Sequence, residues 1–325
     1  MNSIVSIAKL GSQHGGRPPA AVEIAPEGVL AAAMLSPGQA PVYAFQPLAA
    51  GAIVPGIGEP NLRAPQDVAE AIRSTLEQVS PRARSVTLVL PDTVIRVFVL
   101  DFDSLPSRVA EAYPVLRFRL RKVVPFDVEH AALTYQVLKE SKDTCKVLAA
   151  VMPGAVLSEY EGAVRAVGYE PGAVLPSSLV ALEAIDSLEA VLCATMSSLA
   201  LTTSITNGHD LLLYRTIDLP QDPIRRLDEV RRGIAVAAAY FEDKLMSRPQ
   251  SLYYAGIGGA DAFARWINIP ELTVVEMAPR HDTAATACLD NVDHSKAEGP
   301  ATSSFDLTLG ITNIAGVAGA LAGVR

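Results

Sequence analysis

The first residues able to do chemistry form a hairpin turn, Glu23-Ile24-Ala25-Pro26-Glu27-Gly28. A turn that grips a phosphate needs glycine or small hydroxyl residues at its tip, so that backbone N–H groups can approach the anion. It also needs a carboxylate nearby to hold hydrated Mg²⁺. Glu23 could serve such a metal, and Gly28 permits a close approach. Pro26 offers no N–H, and Glu27 would repel a phosphate. A second turn, Ala194-Thr195-Met196-Ser197-Ser198, brings two serine hydroxyls and no carboxylate. Short serine runs usually cap turns. A third segment, Ala255-Gly256-Ile257-Gly258-Gly259-Ala260, follows an apolar strand and precedes a short helix. Gly256, Gly258 and Gly259 allow either backbone contact with a nucleoside or tight packing of helix on strand. The dinucleotide fingerprint fails at Asp261, and no Gly-Lys-Ser/Thr follows to make a P-loop. The five histidines lack ligand spacing, the three cysteines form no cluster, and no nucleophile–base pattern occurs. No catalytic residue and no resident metal are expected.

Arg117-Phe118-Arg119-Leu120-Arg121-Lys122 is the one dense basic run. Arg117, Arg119, Arg121 and Lys122 could meet an acidic partner or anionic lipid, or they could form a solvated helix face. The whole chain is acidic, with 35 acidic and 27 basic side chains and a formal charge of −8. That balance argues against a nucleic-acid binder working by general electrostatics. Half of the 325 residues are hydrophobic, which supports about two domains with a sizeable core. Cys145, Cys193 and Cys288 are odd in number and widely spaced, which fits a reducing cytoplasm. No apolar run is long enough for a signal peptide or a membrane span. Phe305 to Val324 comes nearest, but Asp306, Thr308, Thr312 and Asn313 interrupt it, so it reads as a buried terminal helix.

The elements that must position these residues occur twice. Residues 20–48 read as three strands joined by two turns, and residues 190–219 repeat that plan, with Asn207-Gly208 as a hairpin signal. Each meander leads to an amphipathic helix. Val68, Ile72, Leu76 and Val79 mark the first stripe; Leu227, Val230, Ile234, Ala238, Phe241 and Leu245 mark the second. Two similar α/β halves follow, with a cleft between them. Between the halves, Val86–Leu90 and Val94–Leu100 read as strands, and a helix follows from about Ser107 to Lys122 with Pro114 kinking or restarting it. Two more strands and the helix Ala155–Val167 complete a β-β-α-β-β-α block. Residues 1–18 read as a loose tail and 291–303 as an exposed loop.

This order of parts resembles the PilM family of type IV pilus assembly, actin-like relatives of the division protein FtsA. The resemblance is carried by Gln46-Pro47-Leu48, Gly51-Ala52-Ile53-Val54, Val86-Thr87-Leu88-Val89-Leu90-Pro91, Val123-Val124-Pro125-Phe126-Asp127 and Tyr135-Gln136-Val137. It implies an α/β, actin-like (ribonuclease H-like) fold of two lobes. The expected organisation is subdomain 1A at 19–85, an inserted 1C-type subdomain at 86–175, subdomain 2A at 176–290 and a closing helix within 304–325. The family's Asp-Ile-Gly turn reads Glu23-Ile24-Ala25 here, and the second turn has no acid. The helical subdomain 2B is missing or minimal, because only about ten residues (Leu219 to Asp228) precede the long helix. The resemblance therefore implies a degenerate site with no resident cofactor, ATP with magnesium being the alternative, held through Glu23, Gly28, Gly256, Gly258 and Gly259. It implies a cytoplasmic scaffold peripheral to the inner membrane. Its partners would be the tail of a PilN-like membrane protein, bound between 1A and 1C, and a pilus motor ATPase. An active actin-like ATPase and a GspL-like platform component are the other readings.

Overall fold

The computed structural model describes residues 17–36, 40–58, 60–185, 187–208, 210–277 and 313–322. Most of the expected tail, the turn at Pro37-Gly38-Gln39, the loop at 291–303 and the first part of the closing segment lie outside them. Three strands open the first lobe: β1 (Ala20–Ala25), β2 (Gly28–Ala33) and β3 (Val42–Pro47). They form an antiparallel meander. Helix α1 (Pro65–Val79) starts on a proline, whose fixed φ suits a first helical position. It buries Val68, Ala71, Ile72, Thr75, Leu76 and Val79, the stripe that the 3.6-residue period requires. Strands β4 (Ser85–Leu90) and β8 (Glu170–Pro176) extend the sheet in parallel, giving the order β3-β2-β1-β4-β8.

The second lobe repeats this arrangement. β9 (Ala190–Met196), β10 (Ala200–Asn207) and β11 (Asp210–Asp218) form the meander. Helix α5 (Pro223–Leu245) follows, and Asp222 caps it by accepting from the Arg225 N–H at 2.9 Å. β12 (Ser251–Gly256), α6 (Gly259–Ile267) and β13 (Thr273–Glu276) complete the lobe, with sheet order β11-β10-β9-β12-β13. Two mixed sheets with the same 3-2-1-4-5 order make the ribonuclease H-like pair that the sequence implies. Only Leu219–Asp222 separate β11 from α5, so no 2B-type insertion fits there.

The inserted block is smaller than the sequence suggests. Val86–Leu90 does not belong to it, because β4 lies inside the first sheet, paired with β1 on one side and β8 on the other. A strand that is apolar on both faces belongs where both faces are covered, and Val86, Leu88, Val89 and Leu90 are fully buried. The block is β5 (Arg96–Phe102), α2 (Val109–Leu120), β6 (Ala131–Glu140), β7 (Cys145–Pro153) and α3 (Gly154–Ala166). Its sheet runs β5-β7-β6. Pro114 neither breaks α2 nor restarts it.

Two short helices join the lobes. α4 (Ser177–Ala181) leaves β8 directly, and α7 (Ala315–Ala322), the described part of the closing segment, packs on it. A Cβ on Gly319 would stand 2.0 Å from the Val180 carbonyl oxygen, so glycine is what lets α7 lie against α4. The expected loose tail also needs correction at its end. Arg17 is 4% exposed, its Nη2 lies 3.0 Å from Glu183 Oε1, and its Nη1 donates to the Gly319 carbonyl at 3.2 Å. One apolar cluster runs continuously from the first sheet through α4 and α7 to Val191, Cys193, Leu211 and Tyr214 of the second lobe.

Candidate functional site

Strands β1 and β4 run parallel, with Glu23 opposite Val89, so their carboxyl ends open into the same cleft. Ligands of open α/β sheets sit at that end. Glu23 from β1 and Asp92, just beyond β4, both line the cleft. The facing wall is Thr195, Met196 and Ser197 of the second lobe, with Ile257 and Asn313. The enclosed volume is about 80 Å³, room for a few water molecules.

Two consecutive serines at the start of α4 hold the two acids. Ser177 Oγ donates to Glu23 Oε1 at 2.6 Å, and Ser178 Oγ donates to Asp92 Oδ2. Asp92 Oδ1 also accepts from the Tyr214 hydroxyl at 2.9 Å, a bond that crosses from β11 to the first lobe. Glu23 Oε2 is enclosed and has no hydrogen-bond partner among the described residues. Burial raises the Glu23 pKa from 4.5 to about 7; the Ser177 bond opposes this, and the charges of Asp92 and Glu27 add to it. Burial raises the Asp92 pKa as well, against the bonds from Ser178 and Tyr214. Desolvation and the Asp92 charge push the Tyr214 hydroxyl well above its usual range. Three hydroxyls thus clasp two buried acids where the lobes meet.

The groups that would cradle a nucleotide are already used. Ser197 Oγ accepts from the N–H groups of Leu199 and Ala200 at 3.2 and 3.1 Å, so it caps its own turn. The first turn is closed by Gly28, where a Cβ would stand 2.3 Å from the Gln46 carbonyl oxygen; that glycine serves the pairing of β2 with β3. Gly256 is likewise a packing residue. Its Cβ would meet the Met196 carbonyl oxygen at 2.3 Å, where β12 lies on β9. Gly258 and Gly259 have φ of 78° and 71°, which bend the chain into α6. The first free N–H of α6 does not await a ligand, because Ala260 N donates to Glu276 Oε2 at 2.7 Å. An internal carboxylate thus stands at the helix N-terminus where a phosphate would go. These residues do not fit an ATP–magnesium complex. Gly256→Ala is expected to cost about 1–3 kcal/mol, read as a lower midpoint in urea unfolding, because backbone rather than a flexible side chain blocks the added methyl.

The basic run splits. Arg117 Nη2 donates to the Ala131 carbonyl at 3.3 Å and ties α2 to β6, so it is not a free contact residue. Arg121 pairs with Glu129, while Arg119 and Lys122 are exposed. None of the four comes near the cleft. Asp92, Ser177, Ser178 and Tyr214 escape sequence reasoning. The one signal for Asp92 is its place directly after an apolar strand, in Pro91-Asp92-Thr93. Among the described residues no group of three or more metal-binding side chains occurs, and no helix is long and apolar enough to cross a membrane.

No protein-family model and no curated protein sequence matches the chain. Solved structures do. A PilM–PilN type IV pilus biogenesis complex superposes with a TM-score of 0.66 at 15% identity, over 81% of this chain and 89% of the matched one. The fold is actin-like, of the PilM type. The cytoplasmic domain of EpsL, from the type II secretion system of Vibrio cholerae, aligns over 80% of this chain and 87% of its own at 15% identity, with a TM-score of 0.47. A Bacteroides thetaiotaomicron protein with an actin-like ATPase fold aligns over 83% and 92% at 9% identity, also at 0.47. The inserted three-stranded block stands against β8, the outer strand of the first sheet, with a groove between them.

Proposed function

We propose that this protein is a PilM-like scaffold of a type IV pilus or related secretion platform, which binds a protein tail and does not hydrolyse ATP. Its occupant is the short tail of a PilN-like inner-membrane protein, PilN being the partner of PilM in the similar complex. The carrying observation is an apolar groove of about 230 Å³ between β6 and β8. Among the described residues each is the outermost strand of its sheet, with one side of its backbone lacking a ladder partner. Ala132, Leu133 and Thr134 form one wall, Gly172, Ala173 and Val174 the other, and Met152 and Leu157 also line it. An extended peptide can add a strand to such an edge and place every second side chain on the walls. Holding it needs no catalytic group. The clasp at Glu23 and Asp92 keeps the two lobes as one rigid support. Such a partner puts the protein in the cytoplasm beneath the inner membrane, and a pilus motor ATPase is a second candidate partner.

Fluorescence anisotropy with a labelled PilN-like tail peptide tests the reading. Binding is expected, and Thr134→Arg, which adds bulk and charge on a partly exposed wall, is expected to weaken it about tenfold or more with an unchanged melting temperature. A peptide that fails to bind, or binds equally to the variant, removes the groove from the proposal. The competing ATPase reading has one observation in its favour, the carboxylate of Glu23 at the right strand end. Calorimetric titration with Mg-ATP decides it: no heat of binding is expected, and micromolar binding would restore the enzyme.

A further inference from the structure

Helix α2 is apolar on both sides. Ala112, Leu116 and Leu120 are buried against the three-stranded sheet. Val115 and Phe118 lie on the opposite side, 36% and 63% exposed, and Val123 in the following turn is 53% exposed. The Lys122 ammonium sits 5.3 Å from the centre of the Phe118 ring. Arg119 is exposed and has no ion pair among the described residues. From Arg108 to Lys122 the chain carries five cations and a single acid, Glu111, which pairs with Arg108 at 3.3 Å. The rest of the molecule is strongly acidic. A helix C-terminus favours cations through its dipole, which accounts for their position. It does not account for an exposed phenylalanine and valines between them.

We propose that the outward face of α2 rests on an anionic lipid surface. Phe118, Val115 and Val123 enter the boundary between headgroups and acyl chains, while Arg119 and Lys122 meet lipid phosphates; Arg121 is held by Glu129. Apolar side chains flanked by cations that can extend to the headgroup level are what an interfacial helix presents. Each cation near such a surface raises partitioning about fivefold, so two together with a shallow apolar wedge give weak, salt-sensitive binding. Helix α2 packs on the sheet face that carries Ala131, Ala149 and Val151, whereas Ala132, Ala150 and Met152 of the other face line the groove. A membrane-anchored tail held in that groove would add avidity, but lipid binding stands or falls without it.

The test is flotation of the purified full chain with vesicles of phosphatidylglycerol and phosphatidylethanolamine, against vesicles of phosphatidylcholine alone. The protein is expected to float with the anionic vesicles only and to be released by added salt. The double variant Arg119→Glu/Lys122→Glu is expected to lower the bound fraction about tenfold or more, with unchanged circular dichroism. Phe118→Trp in a Trp266→Phe background is expected to shift its emission to the blue on the same vesicles. Equal flotation with both vesicle types, no flotation with the anionic ones, or no effect of the charge reversal overturns the proposal. A dimer in sedimentation that Phe118→Glu abolishes, without vesicle binding, would give this face to a second copy of the chain; saturable capture by an acidic peptide alone would give it to a protein.

Discussion

Arg17→Met is expected to lower the unfolding free energy by about 3–5 kcal/mol, the usual cost of removing one partner of a buried ion pair. The side chains of Arg17 and Glu183 are 1% and 5% exposed, with 3.0 Å between Nη2 and Oε1. In that setting the substitution leaves the Glu183 carboxylate without its guanidinium and away from water. It also deletes the bond from Nη1 to the Gly319 carbonyl, which fixes α7 against the interlobe helices. The double variant Arg17→Met/Glu183→Gln is expected to recover a large part of the loss, because no buried carboxylate then loses its guanidinium. Urea unfolding of the two single variants and the double variant measures this as a cycle. A cost for Arg17→Met below about 1 kcal/mol would mean that the pair is not what holds residue 17 to the body.

Glu23→Gln is expected to stabilise the protein above neutral pH by at most about 3 kcal/mol and to flatten its stability profile in acid. The sign follows from the direction of the shift. Folding raises the Glu23 pKa from 4.5 to about 7, so between those values the folded state keeps a proton that the unfolded state has released. Stability from this group is full below about pH 4.5 and is lost as the pH rises through about 7. Asp92, raised by its burial, acts in the same direction. The facing groups are Asp92, Glu27 and Ser177, and Tyr214 reaches Asp92 from the second lobe. The amide introduced by Glu23→Gln would keep the acceptor for Ser177 Oγ but carry no charge to desolvate. The variant and the wild type are expected to match below about pH 4.5, to diverge as the pH rises to about 7, and to keep a constant difference above that. Parallel profiles from urea unfolding across that range would show that Glu23 is already ionised in the fold.

Sequence periodicity determined the two meanders, the amphipathic faces of α1 and α5 and the short step from β11 to α5. These depend on local spacing: side chains two apart share a strand face, and side chains three or four apart share a helix face. The blunted turn at Glu23-Ile24-Ala25 and the acid-free second turn were equally legible, because a missing carboxylate is a matter of residue type. Tertiary structure alone decided the rest. Val86–Leu90 looks the same in sequence whether it serves the inserted block or the first sheet, and only its parallel pairing with β1 assigns it to the sheet. Gly28 and Gly256 look like ligand-approach glycines until the carbonyls of Gln46 and Met196 are found where a β-carbon would stand. Ser178 and Tyr214 lie 86 and 122 residues from Asp92 along the chain, and a hydrogen bond of that span leaves no local pattern. The clasp, the plug of Glu276 on α6 and the burial of Arg17 all depend on which surfaces meet after folding, and side-chain spacing along one strand or helix carries no record of that.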